Sequence, residues 1–193
     1  VQRAKGEAHP LMKKYGIDAI PFAHEQMDAW RDALKRGVQF VHEPTGLIVR
    51  GAIDDVWQGS DGKLIIADYK ATSKKTEVNL DAEWQDGYKR QMEVYQWLFR
   101  RNGFEVSDTG YFVYANADSD KEAFDAKLEF DITLIPYTGN DDWVEPTLFK
   151  IKETLDGDKI PEASEDCDYC TYRVAVDEVL PKKKTKGEHS TLF

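Results

Sequence analysis

Cysteine is scarce in this sequence: only two of its 193 residues, Cys167 and Cys170, carry a thiol. A single possible pair, three positions apart, excludes a framework of disulfide bonds as the source of stability. The close spacing instead favours a metal clip or reduced thiols in a cytosol.

Long apolar runs are also missing. The longest apolar stretches have four or five residues, whereas a helix that crosses a bilayer needs about 20. The chain does not open with a charged, apolar and small-residue leader of the kind that directs export. We therefore expect a soluble, cytoplasmic protein.

Positive charge is in deficit, because 26 Lys and Arg stand against 36 Asp and Glu, for a net charge of −10. This balance excludes a protein that coats nucleic acid by bulk attraction. It leaves open a locally basic groove, for which the basic residues are Lys74, Lys75, Lys89, Arg90, Arg100 and Arg101. A solvated surface of mixed charge is the alternative for these side chains.

The chain does have ample apolar material, with 41% hydrophobic and 12% aromatic residues. This amount is enough for the core of one domain. We expect a single domain over residues 1–180, followed by a basic flexible tail over residues 181–193.

The hydrophobic periodicity predicts an alternation of helices and strands. Helices are predicted over 24–36, 82–102 and 141–155, and strands over 38–42, 47–54, 64–70, 111–114 and 127–135. The long helix has one apolar stripe, formed by Trp84, Tyr88, Met92, Tyr95, Leu98 and Phe99. This order predicts an α/β fold with a mixed central sheet flanked by helices.

Two aspartates and a lysine break the apolar pattern of the strands. Asp54 and Asp68 flank the turn Gly59–Gly62, so we expect a hairpin to bring their carboxylates together. Asp68 and Lys70 share one strand face, which begins with apolar residues. Ionised groups on such a face cost several kcal/mol each unless they are paired or bind a metal.

These residue types suit metal-assisted phosphodiester hydrolysis. Two carboxylates, Asp54 and Asp68, can hold Mg²⁺ or Mn²⁺, and the ammonium of Lys70 can orient an attacking water. Gly51, three residues before Asp54, lets backbone or substrate approach closely. A simple salt bridge is the alternative interpretation of the aspartate and the lysine.

Gln91 and Tyr95 lie one turn apart on the long helix. Gln91 falls on the inward stripe, where an apolar residue is expected, and a buried amide needs partners. If this helix packs beside the strand of Asp68 and Lys70, both side chains can reach the lysine or a phosphate. A glutamine at the edge of the stripe is the alternative.

Taken together, three motifs resemble the RecB-like branch of the PD-(D/E)XK nuclease superfamily, which is related to the CRISPR-adaptation exonucleases with a cysteine cluster. They are Gly51-Ala52-Ile53-Asp54, Ile66-Ala67-Asp68-Tyr69-Lys70 and Gln91-Met92-Glu93-Val94-Tyr95. The resemblance implies a restriction-endonuclease-like core and a metal-dependent deoxyribonuclease, with exonuclease action expected.

The resemblance also implies the roles of the site residues. Asp54, Asp68 and the backbone carbonyl of Tyr69 would hold Mg²⁺ or Mn²⁺, and Lys70 would be catalytic, with Gln91 and Tyr95 in support. The implied substrate is DNA, as single strands or ends, and the implied setting is a recombination or repair complex with a protein partner.

Two departures from the family pattern stand out. The family usually supplies a further metal ligand from an upstream helix, for which His24 and Glu25 are weak substitutes. Members with an iron–sulfur cluster use four cysteines, whereas this chain has only Cys167 and Cys170. Both gaps would close if a segment preceded Val1, so we interpret the chain as a truncated member whose cluster would need cysteines outside it.

Two other functional interpretations compete with the nuclease. The first is a catalytically inactive PD-(D/E)XK fold that serves as a DNA-binding or scaffolding module. The second is a structural protein with incidental salt bridges, which has to treat three ordered motifs as chance.

Overall fold

The computed structural model describes residues 2–120 and 126–180. The basic tail predicted over residues 181–193 lies outside the described residues. The chain divides into two compact units, with the boundary between Lys152 and Glu153. The single domain expected over residues 1–180 stays a prediction.

Six helices, a 3-10 helix and seven strands make up the described structure. In chain order they are α1 (Gln2–Lys5), α2 (Pro10–Lys14), β1 (Ala19–Pro21), α3 (Met27–Trp30), β2 (Val38–His42), β3 (Leu47–Gly51), β4 (Asp55–Gly59), β5 (Leu64–Thr72), the 3-10 helix (Glu83–Gln85), α4 (Asp86–Arg101), β6 (Thr109–Ala117), β7 (Phe130–Thr138), α5 (Val144–Asp156) and α6 (Asp168–Val179). None of the helices in this described part has the length and apolar character needed to cross a bilayer.

The main sheet has five strands in the order β1-β4-β5-β6-β7. Strand β5 lies at its centre, antiparallel to β4 and parallel to β6. A parallel pair cannot be closed by a short turn, and here α4 lies in the connection between the two strands. The α/β fold with a mixed sheet, expected from the sequence, is confirmed. The hairpin of β2 and β3 forms a separate two-stranded sheet.

Apolar side chains cover both faces of the main sheet. On one face Ile66 packs with Met92 and Leu98 of α4, and all three are fully buried. On the other face Ala67 packs in a second cluster with Met12 of α2 and other side chains. Successive residues of β5 therefore point into two different cores, as the period of a strand requires.

The helix predicted over residues 24–36 is wrong in extent, because only Met27–Trp30 is helical. Asp32 accepts hydrogen bonds from the backbone N–H groups of Leu34 and Lys35, each at 3.1 Å. An aspartate that bonds nearby backbone offers the chain an alternative to the helix. Leu34, which follows the end of this short helix, is 89% exposed.

The strand predicted over residues 47–54 ends earlier, at Gly51, and Asp54 stands just before the next strand, β4. The sequence did not separate these two strands, because the break between them, residues 52–54, is short and contains neither glycine nor proline. The strand predicted over residues 127–135 and the helix predicted over residues 141–155 each begin three residues later, as β7 and α5, a shift within the usual error of a predicted boundary. Pro146 falls in the first turn of α5, where a proline is tolerated.

Trp84 is also misplaced in the sequence interpretation, because it does not belong to the buried stripe. It is 61% exposed, whereas the adjacent Gln85 is fully buried. The residues around Trp84 form a 3-10 helix at Glu83–Gln85, which has 3.0 residues per turn instead of 3.6. The tighter winding shifts the phase of the stripe, so that Gln85 faces the core.

Candidate active site

The centre of the candidate site is strand β5, on the face that α4 covers. Ile66 and Asp68 follow one another on this face and are 0% and 3% exposed, and Lys70 continues the same row. Each is held by parallel pairing with β6, in which Asp68 stands opposite Phe112 and Lys70 opposite Tyr114. The face thus passes from apolar to charged within one buried strand.

Asp54 reaches the same place from the neighbouring strand. In the antiparallel pair Asp55 stands opposite Ala67, and one further step in this register sets Asp54 opposite Asp68. The backbone N–H of Tyr69 donates a 2.8 Å hydrogen bond to Oδ2 of Asp54. The hairpin therefore fixes the Asp54 carboxylate directly beside the strand that carries Asp68.

Lys70 has three partners around its ammonium. Nζ lies 2.6 Å from Oδ2 of Asp68 and donates a 3.1 Å hydrogen bond to Oε1 of Gln91. It also lies 4.1 Å from the ring centroid of Tyr88, a distance at which a cation is attracted to an aromatic face. These contacts fix one position of the ammonium.

Gln91 and Tyr95 extend this network along α4. The amide Nε2 of Gln91 donates to the hydroxyl of Tyr95 at 2.8 Å, while its oxygen accepts from Lys70. Gln91 thus contacts Lys70 directly and has partners at both ends of its amide, whereas Tyr95 is linked to Lys70 through Gln91.

Gly51 makes room for this arrangement. A Cβ atom at this position would meet Cε1 of Tyr95 at 2.7 Å and Cδ1 of Leu98 at 3.4 Å. The close approach expected of Gly51 is therefore made by an aromatic ring of α4. The first and third sequence motifs touch at this point.

Burial changes the titration of two groups in the site. It raises the pKa of the Asp68 carboxyl above its usual range, although hydrogen bonding to Lys70 acts in the opposite direction; the charge of Asp54 adds to the rise. Burial also raises the pKa of Tyr95, with further contributions from Asp68 and Asp54. The tyrosine hydroxyl therefore keeps its proton at neutral pH.

A sequence model of the PD-(D/E)XK nuclease superfamily matches residues 3–175, which is most of the chain. The chain belongs to the PD-(D/E)XK nuclease superfamily.

Comparison with solved structures finds similarity to a chain described as "Crystal structure of SSO0001". The two share 21% sequence identity, and the match covers 70% of this chain and 55% of that one, with a TM-score of 0.37. The chain thus spans little more than half of the length of that protein. None of the curated proteins matches the sequence.

Members of this superfamily typically use a divalent metal. The oxygen atoms at the candidate site are of the kind that binds such an ion. Oδ2 of Asp68 is buried without a hydrogen bond of good angle, although the ammonium of Lys70 lies close to it as an ion pair. The atom retains a lone pair, and Asp54 supplies a second carboxylate beside it. Oxygen donors of this kind fit Mg²⁺ or Mn²⁺, which also retain several waters.

The set of protein ligands is small. Within the described residues, no group of three or more His, Cys, Asp or Glu side chains could hold a metal ion. His24, weighed as an upstream ligand, stacks on Trp30 at a ring distance of 4.5 Å and on Phe22 at 5.7 Å. Glu25 is exposed.

Tyr69 joins the site to the opposite face of the sheet. Its hydroxyl donates to Oδ2 of Asp55 at 3.1 Å, and Asp55 also forms an ion pair with Arg3. These three residues line a cavity of about 180 Å³ on that face. This cavity is separate from the candidate site, because none of Asp54, Asp68 and Lys70 lines it.

Some residues of the site were missed by sequence reasoning. Tyr88 was predicted only as a core residue, yet its ring lies under the ammonium of Lys70. A signal was available, since Tyr88 precedes Gln91 by three positions and so shares its helix face. Asp55 and the hydroxyl of Tyr69 gave no such signal, because their contact depends on the strand register.

The two cysteines lie apart from this site in the sequence, at the start of α6. Sγ of Cys167 accepts from the backbone N–H of Cys170 at 3.4 Å and caps the helix. Both thiols are free. Their predicted role as cluster or zinc ligands in a longer protein stays a prediction.

Proposed function

We propose that this chain is a metal-dependent nuclease that hydrolyses DNA phosphodiester bonds. The observation that carries the proposal is the environment of Lys70, whose ammonium contacts both Asp68 and Gln91 on a buried face of β5. Fixing a lysine side chain in such a position costs free energy, because the ammonium loses contact with water and the side chain loses conformational entropy. In a member of a nuclease superfamily, catalysis is the natural reason for that cost.

Asp54 and Asp68, with the backbone carbonyl of Tyr69, are the residues that would hold Mg²⁺ or Mn²⁺. When bound, such an ion would lower the pKa of a water molecule and draw charge from the phosphoryl oxygens. A bound cation would also compensate the buried carboxylate of Asp68, because positive charge beside it opposes the rise in its pKa that burial causes.

Lys70 would act on the substrate directly. Its ammonium can donate to the attacking water or to a phosphate oxygen, and it offsets negative charge that develops there. Gln91 and Tyr95 would be positioning residues, because their hydrogen-bond chain ends on the Lys70 ammonium and fixes its direction. Fixed donors need little reorganisation during the reaction.

We further propose the RecB-like repair or recombination type, with exonuclease action on single strands or ends. The order and spacing of the three motifs support this type. A cytoplasmic setting with a protein partner in a repair complex, and an iron–sulfur cluster with cysteines outside the chain, belong to the same proposal.

A second candidate function is a DNA-binding or scaffolding module without turnover. The absence of a third His, Cys, Asp or Glu ligand among the described residues favours it. Such a module would retain DNA binding in EDTA and would not cleave DNA with any divalent metal.

The test compares DNA cleavage by the wild type and by variants, in Mg²⁺ or Mn²⁺ and in EDTA. We expect cleavage only with metal, and Asp68→Ala or Lys70→Ala should lower the rate at least about a hundredfold, the scale of losing one electrostatic stabiliser. Lys63→Ala is the matched control, because Lys63 is exposed in the turn of the same hairpin. Equal cleavage in EDTA, or a wild-type rate for Lys70→Ala, would contradict the mechanism.

A further inference from the structure

Two aromatic rings, with a lysine ammonium at either end, form a row that begins at Lys70. The ammonium of Lys70 lies over Tyr88 at 4.1 Å, and the Tyr88 ring meets the Trp84 ring edge-on, with centroids 5.4 Å apart. At the outer end the ammonium of Lys74 lies 5.5 Å from the centroid of Trp84.

Trp84 stands on a segment that is firmly held. Gln85, the next residue, is fully buried; its amide donates to the carbonyl of Asn79 at 2.7 Å and accepts from the N–H of Ala82 at 3.0 Å. Leu80 of the same segment is buried too. A rigid backbone thus presents an indole that is 61% exposed.

Because most of the charges around Trp84 are paired, attraction of phosphates would contribute little to DNA binding at this residue. Lys75 forms an ion pair with Asp120, and Lys89 with Asp86, each at 2.8 Å. In the part of the chain that the structure describes, the ammonium of Lys74 makes no ion pair, and it contacts the Trp84 ring instead. The exposed Glu83 lies next to Trp84 in the sequence, which further weakens any pull on a phosphate backbone.

An exposed aromatic face suits a nucleobase better than a phosphate. Stacking of a base on an aromatic side chain contributes to binding for every base, because every base has a π-face. Both faces of a base inside a duplex are already covered by its neighbours, so only an unpaired base can stack on a side chain. The chemistry of Trp84 therefore selects for single-stranded DNA.

The position of Trp84 relative to Lys70 suits a strand that enters the site. The contacts of 4.1 and 5.4 Å place the Trp84 ring within about three base steps of the Lys70 ammonium, since neighbouring base pairs of a duplex are about 3.4 Å apart. A base stacked on Trp84 would then lie a few nucleotides from a phosphate at Lys70.

We propose that Trp84 is a base-stacking platform, flanked by the Lys74 ammonium, that holds an unpaired DNA strand leading into the site. This inference rests on the proposed nuclease function for the direction of the strand, and it adds the residue that distinguishes single strands from duplex.

The test measures binding in EDTA, so that metal-dependent hydrolysis does not interfere. A fluorescently labelled single-stranded 12-mer and a blunt duplex of the same sequence are titrated with the wild type, Trp84→Ala and Trp84→Phe. We expect Trp84→Ala to weaken single-strand binding by about five- to a hundredfold, the loss of one stacked base. Trp84→Phe should retain most of the affinity, and duplex binding should change less than about twofold.

Lys74 and Lys75 provide a matched pair of charge removals. Lys74→Ala should weaken single-strand binding more than Lys75→Ala, because only Lys74 contacts the Trp84 ring, whereas Lys75 is paired with Asp120. A 2-aminopurine placed along the strand should be quenched at one position by the wild type and by Trp84→Phe but not by Trp84→Ala. Equal effects of the two lysine variants would contradict the flanking role of Lys74.

Failure of this inference and failure of the nuclease proposal give different results. If Trp84→Ala binds single strands as the wild type does while Lys70→Ala abolishes metal-dependent cleavage, the stacking platform is wrong and the nuclease stands. If cleavage does not depend on Lys70 but single-strand binding depends on Trp84, the nuclease mechanism is wrong and the stacking platform stands. A surface that docks a protein instead of DNA would leave all DNA affinities unchanged, which overturns the inference.

Discussion

Asp68 is an ionisable residue in a buried position. Its side chain is buried on a strand face that begins with Leu64 and Ile66, and burial raises the pKa of its carboxyl. Lys70 and Gln91 compensate part of this cost through the ion pair and the hydrogen bond at the ammonium. The alternation of residues along the strand was sufficient to predict that a charged group would be buried here, because apolar and charged residues share one face of the strand.

The raised pKa of Asp68 predicts a pH dependence of stability. The folded state binds a proton on Asp68 more tightly than the unfolded state does, so the stability of the metal-free protein falls as pH rises through this window. The window begins near the ordinary pKa of aspartate, about 3.9, and ends at the raised pKa. Above both values the loss is complete and constant.

Urea unfolding at a series of pH values in EDTA measures this effect. Asp68→Asn stays neutral, so the free energy of unfolding of the wild type should decrease relative to that variant across the window and then run parallel to it. Asp61→Asn, in the exposed turn of the same hairpin, controls for the loss of one carboxylate. Parallel curves for wild type and Asp68→Asn over the whole range would contradict the assignment.

At the scale of secondary structure, α4 ties the motifs together by packing on both sheets. Gly51 at the end of β3 receives the ring of Tyr95, and Tyr95 bonds to Gln91, which in turn contacts Lys70 of β5. The position of the Lys70 ammonium therefore depends on a close contact between a strand and a helix. A methyl group at Gly51 would disturb that contact.

Gly51→Ala should lower the free energy of unfolding by about 1–3 kcal/mol, the usual cost of overpacking a core. The new Cβ meets Tyr95 at 2.7 Å, so the ring or the strand has to move. Gly87→Ala is the matched control, since a Cβ there meets nothing within 4 Å in α4 and alanine favours a helix. Denaturant unfolding of both variants checks the prediction, which fails if Gly51→Ala is as stable as Gly87→Ala.

Elements were predictable from the sequence where one periodic pattern dominated. The hairpin of β4 and β5 and the body of α4 followed from a glycine-rich turn and from a stripe of apolar residues. The helix expected over residues 24–36 failed because side-chain hydrogen bonds of Asp32 with the local backbone interrupted it. The exposed position of Trp84 was missed because the 3-10 winding before α4 is not visible in a pattern with a period of 3.6.

For the whole molecule, the sequence predicted which residues come together at the candidate site better than it predicted their further contacts, and the roles of these residues stay predictions. Spacing brought Asp54, Asp68 and Lys70 to one place, since a hairpin leaves few alternatives. The path from Tyr69 through Asp55 to Arg3 could not be read in this way, because it joins strands and a helix that are distant in the sequence. The net charge of −10 likewise does not predict where an individual cation such as Lys74 lies in the structure.

The central claim is that Asp54 and Asp68 together hold the divalent ion of a nuclease. The most direct measurement is a crystal soaked in Mn²⁺, in which anomalous scattering locates the ion. We expect one peak between the two carboxylates, at about 2.0–2.2 Å from an oxygen of each, and no such peak for Asp68→Ala. A wild-type crystal in which Mn²⁺ binds elsewhere, or leaves these two carboxylates empty, would contradict the account.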